Sequence, residues 1–316
     1  MHLQFEFTTT PEQIGLRLDQ LLAQLYPDYS RARWQSWIKT AAVLVNQQPS
    51  VGKFKLQGKE RITVDATLAE QVDNEAQAIA LNIVYEDSEL IIINKPAGMV
   101  VHPAVGNRHS TLLNALLHYA PELTQVPRAG IVHRLDKDTS GLLMIARTLS
   151  SHTYLVRQLQ ARAIHREYTA LAQGKIIAGN TIDIAIGRHP TQRTKMAVVN
   201  NGREAITHYR VVERFPHYTL VHVQLETGRT HQIRVHFAHI KHPLVGDPVY
   251  GGRLQMPKHA GPGLQTLLHA FKRQALHANC LEFEHPKTKE PMKFFAPLPA
   301  DFVNLIEMVR KEDKVN

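Results

Sequence analysis

Strand-like and helix-like segments do not alternate regularly along this chain, and this constrains the fold more than any other feature. Ile83-Val84-Tyr85, Leu90-Ile91-Ile92-Ile93 and Tyr218-Thr219-Leu220-Val221-His222-Val223 are β-branched and aromatic runs of strand length. Leu112 to Tyr119 and Thr153 to Arg162 carry helical patterns, and Asn94-Lys95-Pro96-Ala97-Gly98 reads as a loop. A doubly wound parallel sheet needs a helix after nearly every strand. The irregular order instead predicts an α+β fold over residues 81–316, with a mixed, largely antiparallel sheet and flanking helices. There is no internal repeat and no low-complexity tract.

A smaller module precedes this region. Ala66 to Ala80 carries Glu70, Asp73 and Glu75 with no basic residue and no proline, and reads as a linker that closes a domain of residues 1–75. Within it, Leu16, Leu18, Leu21, Leu22 and Leu25 form one helical stripe. Ser30 is placed to cap a second helix carrying Trp34, Trp37 and Ile38. Val43-Leu44-Val45-Asn46 and Arg61-Ile62-Thr63-Val64 read as short strands. From Arg31 to Arg61 the basic residues Arg31, Arg33, Lys39, Lys53, Lys55, Lys59 and Arg61 face one acid, Glu60. Such a surface attracts phosphates without regard to sequence, although charged residues are also the ordinary covering of a solvated face. Gly52 to Glu60 imitates a phosphate-binding P-loop. It has one residue too many between its glycines, and Glu60 stands where Ser or Thr should hold magnesium, so that reading is rejected.

Composition narrows the partners. With 37 Lys and Arg against 28 Asp and Glu, the formal charge of +9 points to a polyanion, nucleic acid first. The single cysteine, Cys280, forbids an intrachain disulfide and fits a reducing compartment. The first residues lack the basic and apolar regions of a signal peptide, and no apolar run approaches the roughly 20 residues of a membrane span. The expectation is a soluble cytoplasmic protein.

The most informative string is His133-Arg134-Leu135-Asp136-Lys137-Asp138-Thr139-Ser140-Gly141-Leu142-Leu143. It sets a carboxylate beside an arginine, between the apolar Ile131-Val132 and a turn-like Asp138-Thr139-Ser140-Gly141. A nearby cation favours the charged carboxylate. An ionised aspartate at a pocket edge can attack an electrophilic carbon, whereas an arbitrary Arg-x-Asp is more often a solvated strand-to-turn junction. The residues alone leave both Asp136 and Asp138 as candidates, with Asp138 nearer to turn chemistry. Thr230 is placed to cap a helix from His231 to Ile240 whose apolar stripe is Ile233, Phe237 and Ile240. Arg234 lies beside that stripe, either as a site residue or as a structural ion-pair partner. Tyr168, before Thr169-Ala170-Leu171, reads on its own as a half-buried strand aromatic.

The string from His133 to Leu143 resembles the signature of the RluA/RluD-type pseudouridine synthases. Asn94 to Gly98 with Val101-His102-Pro103 resembles that family's entry segment, and Arg166-Glu167-Tyr168 its tyrosine motif. Gly228-Arg229-Thr230-His231-Gln232-Ile233-Arg234-Val235-His236, followed by His242-Pro243-Leu244-Val245-Gly246-Asp247, resembles its arginine motif. His269-Ala270 or His277-Ala278, and Phe294 to Pro299, complete a likeness that spans nearly the whole region. The N-terminal helix-helix-strand pattern, with Ser30-Arg31 and Val43-Leu44-Val45-Asn46, resembles the S4 RNA-binding domain and points to the RluD-type branch. One small departure is Lys289, in the peripheral turn Pro286 to Glu290, where family members often carry glycine.

The resemblance implies an isomerase of large-subunit (23S) ribosomal RNA acting on uridines of the helix 69 hairpin loop, in free RNA or in a pre-50S or 50S particle. It implies no cofactor, because the uracil that leaves C1′ is retained and rejoined through C5. Asp136 would be the catalytic carboxylate, facing the same oxocarbenium-like character at C1′ as the carboxylate of a retaining glycosidase. Arg234 would pair with Asp136, and Tyr168 would stack on the base and assist proton movement at C5. Arg134 would lie near the flipped nucleotide, Ile233 would be a small apolar pocket residue, and Arg229 a further substrate contact. Arg31, Arg33, Lys39, Lys53 and Lys55 would meet RNA. A uridine in a stem must leave its stack to react.

Other classes are weighed against this. A nucleoside or glycoside hydrolase shares the chemistry at C1′ but must release the base. A silent RNA-binding or ribosome-assembly protein has no need of Asp136, Tyr168 and Arg234 together. An RNA methyltransferase wants a glycine-rich nucleotide turn after a strand, which is missing. His231, His236, His239 and His242 lie close in sequence but lack a metal-ligand pattern, and one cysteine excludes the zinc deaminase signature. With no zipper and no large apolar stripe, a monomer is expected.

Overall fold

The computed structural model describes residues 2–315 other than 27, 28, 30, 68–74, 104–106, 193, 255, 258 and 259, with the side chains of 2, 32, 314 and 315 left aside. Ser30, the expected helix cap, and the middle of the expected linker lie outside the described residues.

The N-terminal part consists of β1 (His2–Thr8), α1 (Leu18–Leu25), α2 (Arg31–Lys39), β2 (Val43–Val45), β3 (Gln48–Pro49) and β4 (Arg61–Thr67). Its strands form an antiparallel sheet in the order β1-β4-β2-β3. On β4 the inward residues are Ile62, Val64 and Ala66, the period of a sheet with one covered face. They meet Leu18, Leu21 and Leu22 of α1 and Trp34, Trp37 and Ile38 of α2 in one core. Two expectations change here. Leu25 is 44% exposed and off the stripe, and β1 had no reading as a strand. Glu60, the residue that spoiled the P-loop reading, is a buried turn-closing acid that accepts from the Gly58 N–H at 2.9 Å and from the Thr9 hydroxyl.

The rest of the chain is built on β5 (Ile83–Glu86), β6 (Leu90–Lys95), α3 (Leu112–Tyr119), β7 (Ser140–Ala146), α4 (Leu149–Gln160) and β8 (His165–Gln173). There follow β9 (Asn180–Asp183), β10 (Ile186–Arg188), β11 (Met196–Val198), β12 (Ile206–Arg214), β13 (Tyr218–Leu225) and α5 (Gln232–His239). The chain ends with α6 (Pro262–Ala270), β14 (Leu276–Glu284), β15 (Pro291–Phe295) and α7 (Ala300–Val315). One sheet runs in the order β5-β6-β7-β14-β8-β13-β12-β9, with β15 added against β14; β10 and β11 form a separate hairpin. Among the described strands of this sheet only β7 and β14 pair in parallel, so the sheet is mixed and largely antiparallel.

Both faces of this sheet are covered, which explains its unbroken apolar runs. In β6, Ile91 and Ile93 enter the core roofed by α3 and α5, while Leu90 and Ile92 enter the opposite core under α4. Leu171 and Leu220 meet α6 and α7 in a third cluster. β6 continues through Asn94 and Lys95, two residues into the expected loop, and α4 begins at Leu149 rather than Thr153. α5 also differs: it starts at Gln232, and its N-cap is His231 with φ 58°, not Thr230. Lys289 has φ 65°, in the left-handed region that glycine occupies without penalty.

Candidate active site

The segment from His133 to Thr139 leaves the core at Ile131, which bridges to Ile145 of β7, and re-enters it at Ser140. The Thr139 N–H donates to Asp136 O at 3.1 Å, closing a tight turn that carries Asp136 on its rim. Lys95 holds the turn from behind. Its ammonium is 1% exposed and donates to the carbonyls of Pro96 (2.8 Å), Met99 (3.1 Å) and Lys137 (2.9 Å). Burial pushes Lys95 down to about 7, against the opposing charges of Asp138 and Asp136. On the far side, Ser140 Oγ lies 2.9 Å from His277 Nδ1, so the buried residue of the two possible His-Ala pairs braces the string. His269 lies in α6 instead.

Helix α5 delivers the cation. Arg234, 4% exposed, sits between two carboxylates: Nη1 is 2.9 Å from Asp136 Oδ2, and Nε is 2.7 Å from Asp247 Oδ2. Asp247 also takes Arg234 Nη2 at 2.9 Å and the N–H groups of Val249 and Tyr250. Burial alone would push Asp247 up, but its hydrogen bonds and the charge of Arg234 hold it below the usual carboxylate range. The Tyr250 ring lies over the guanidinium at 5.1 Å, and its hydroxyl lies 2.8 Å from His231 Nδ1. His231 Nε2 is 3.8 Å from Asp136 Oδ1.

These groups stand in the wall of a cavity of about 770 Å³. Asp136, Tyr168, Arg234, Arg134, Ile233 and Arg229 all line it, whereas Asp138 does not. Tyr168 comes from β8, on the face that packs against α5, and burial raises its hydroxyl pKa. Arg134 is exposed at the rim; Arg229 donates to Glu204 O at 2.9 Å. Arg128, Arg162 and Arg166 add positive charge, against the acids Asp136 and Glu226. His133 accepts from the Met144 N–H at 3.1 Å, and burial pushes it down to about 3, so it stands neutral. Sequence reasoning missed Lys95, Asp247 and Tyr250 as parts of the site, although Lys95 and Asp247 lie inside motifs it quoted.

The basic residues of the N-terminal part are placed unevenly. Lys39, Lys53 and Lys55 are exposed. Arg31 is 3.0 Å from the buried Asp19, and Arg33 lies 5.8 Å from the Trp37 ring. Of the histidines near α5, His231 stands in the cavity wall, His236 bonds Thr207 and Ile184 O, and His242 bonds Gln173 O. No group of metal-ligating side chains occurs among the described residues, and no helix among them is long and apolar enough to cross a membrane.

Comparison with known proteins agrees with this geometry. Residues 89–239 match the family model described as RNA pseudouridylate synthase. The ribosomal large subunit pseudouridine synthase D of Escherichia coli K12 is 52% identical over 311 residues, covering 98% of this chain and 95% of that protein. Its namesake from Haemophilus ducreyi is 53% identical over 300 residues, covering 95% and 92%. Among solved structures, human RNA pseudouridylate synthase domain containing 4 superposes with a TM-score of 0.57 at 25% identity, over 72% of this chain and 93% of that one. The human domain containing 1 protein gives 0.54 at 28% identity, over 71% and 86%. With an aspartate-arginine pair beside a tyrosine in the cavity and relatives alike over nearly their full length, the chain belongs to the RNA pseudouridylate synthase family, on the branch of the ribosomal large subunit pseudouridine synthases D.

Proposed function

We propose that the chain isomerises uridine to pseudouridine in large-subunit (23S) ribosomal RNA, with Asp136 as its catalytic carboxylate. The observation that carries this is the Asp136–Arg234 contact of 2.9 Å in the wall of a cavity that Tyr168 and Ile233 also line. The reaction breaks the C1′–N1 bond of a flipped uridine, turns the uracil within the pocket, and joins C5 to C1′. The C5 proton is then lost and N1 takes one up, so that the product is an isomer of the starting uridine. Asp136 meets the positive character at C1′, as a nucleophile or as a fixed negative charge; Arg234 orients it through a charge-assisted hydrogen bond. Tyr168 and Ile233 pack on the uracil and keep it from escaping. Arg134 and Arg229 hold the RNA at the rim.

The N-terminal part, about residues 1–75, acts as an S4-like RNA-binding domain joined to a catalytic domain of residues 81–316. Its separate core supports that division. Its exposed Lys39, Lys53 and Lys55, with Arg31 and Arg33, supply phosphate contacts. The target is the helix 69 hairpin loop, in free RNA or in a pre-50S or 50S particle, and the enzyme works as a monomer in the cytoplasm.

The test is tritium release from 23S rRNA labelled at uridine C5, with wild type and Asp136→Asn in parallel. Release by wild type alone, without free uracil, is expected. Free uracil would make the enzyme a glycosidase, and equal release by both proteins would remove Asp136 from the mechanism.

A further inference from the structure

We propose that Arg166 is an anion subsite of the cavity, holding a backbone phosphodiester of the RNA strand that carries the flipped uridine. The proposal rests on the function argued above and adds to it a group that binds the substrate's charge. Arg166 lies on β8 two residues before Tyr168. Strand alternation puts both side chains on one face of the sheet, and both line the cavity.

Every other well-buried arginine of the site region has its counter-charge. Arg234 has Asp136 and Asp247, and Arg273 has Asp301 at 2.7 Å. Arg166 has none. It is 8% exposed, and its one hydrogen bond runs from Nη2 to Glu226 O at a long 3.3 Å. Its buried Nε has no partner, and among the described residues no carboxylate comes within salt-bridge distance of it. An arginine does not discard its proton at any ordinary pH, so this charge stays, and a buried charge without a partner is costly. Burial accordingly presses its pKa downward.

The local packing leaves this guanidinium its place. A Cβ at Gly228 would stand 2.7 Å from Arg166 Nη1, so the bare backbone of Gly228, itself in the cavity wall, makes the room. The neutral His133 beside it supplies no anion either. What is missing is a full negative charge with several acceptor oxygens, and a phosphodiester offers both to the planar fork of an arginine. A uracil carbonyl offers an acceptor but no charge. RNA brings a phosphate on each side of any uridine that enters.

The experiment uses the full-length enzyme and a 23S rRNA stem-loop transcript tritiated at uridine C5. KM and kcat are measured for wild type, Arg166→Gln, Arg166→Lys and Gly228→Ala. Kd is measured against potassium chloride concentration in the same proteins carrying Asp136→Asn. Loss of a charge-assisted hydrogen bond predicts a KM rise of about 10-fold to 100-fold for Arg166→Gln, larger than any change in kcat. Loss of one phosphate contact lowers the slope of log Kd against log salt by about 0.7 to 0.9. Arg166→Lys retains the slope, and Gly228→Ala raises KM by displacing a guanidinium that is still present. A fall in kcat with KM and slope unchanged would overturn the proposal, since Arg166 would then act through Tyr168 or hold β8 in place. If wild type released no tritium, the assigned reaction would fail, while the salt slopes would still decide the subsite.

Discussion

Arg234 is held between two carboxylates of unequal exposure: the Asp136 side chain is 15% exposed and that of Asp247 is fully buried. The buried one fixes the guanidinium; the other leaves Oδ1 outside hydrogen-bond range of His231, at 3.8 Å. Asp136→Asn keeps the shape but loses the charge. Turnover should fall by about 10³-fold or more while RNA affinity in a filter-binding assay stays nearly that of wild type. Equal loss of both would make Asp136 a structural residue. Asp247→Asn removes the anchor instead, and breaking a buried pair costs about 3–5 kcal/mol. The sign with pH follows from the depressed carboxyl of Asp247: its stabilisation is present above the ordinary value of 3.8 and is lost as pH falls through the lower folded value. Urea unfolding at a series of pH values should therefore show the gap between wild type and variant closing in strong acid. Asp136 and Arg234 were legible only through the resemblance of their strings, since the residues alone left Asp138 as a rival carboxylate and Arg234 open between a site role and a structural ion pair. Asp247 and Tyr250 were not, since their contacts with Arg234 arise only when the loop after α5 folds back over it.

Elements place this pair through two close approaches. Gly141 has φ 116°, and a Cβ there would stand 2.2 Å from Ala278 O, so only glycine admits the parallel contact of β7 with β14. Gly141→Ala should destabilise the protein by about 3 kcal/mol or more, read as a lowered urea midpoint, because backbone must move. Lys95 acts from the end of β6, where its bond to Lys137 O ties the Asp136 turn to the segment after β6, whose Pro96 and Met99 carbonyls it also holds. Lys95→Met fills the same space without those donors. It should lower kcat by up to about 100-fold with less effect on KM, as expected when a reacting group is misplaced by about 1 Å; a change confined to KM would refute that role. Long apolar runs such as β6 and β13, and the α3 stripe, could be read from sequence because their composition fixes their burial. β1 could not, since its alternating His2-Leu3-Gln4-Phe5-Glu6-Phe7 is short and gains its partner β4 only across more than fifty residues. The start of α5 was misread because His231, in a left-handed conformation, takes the capping position without a side-chain bond.

At the scale of the whole molecule, the excess of +9 comes from residues 76–316, because residues 1–75 balance 8 Lys and Arg against 9 Asp and Glu; what the N-terminal part offers RNA is a local surface, not a net charge. Pairing decides how much of that surface is available. Arg31 is shared with Arg17 on Asp19, and Arg61 is paired to Glu6 at 2.7 Å, so neither is fully open to phosphate. Lys39, Lys53 and Lys55 are exposed, and their charge is the part of this surface most open to RNA. Each phosphate contact contributes about 0.7 to 0.9 to the salt slope. Replacing all three lysines by alanine should then lower the slope for 23S rRNA binding by about 2 and raise Kd at moderate salt. Chemistry at saturating RNA should be little affected, because these exposed side chains stand on the N-terminal part, whose core is separate from the one behind Asp136. An unchanged slope would mean that RNA is held by the catalytic cavity and its arginines alone. A fall in the saturated rate would mean that the N-terminal part orients the uridine as well as attracting the strand.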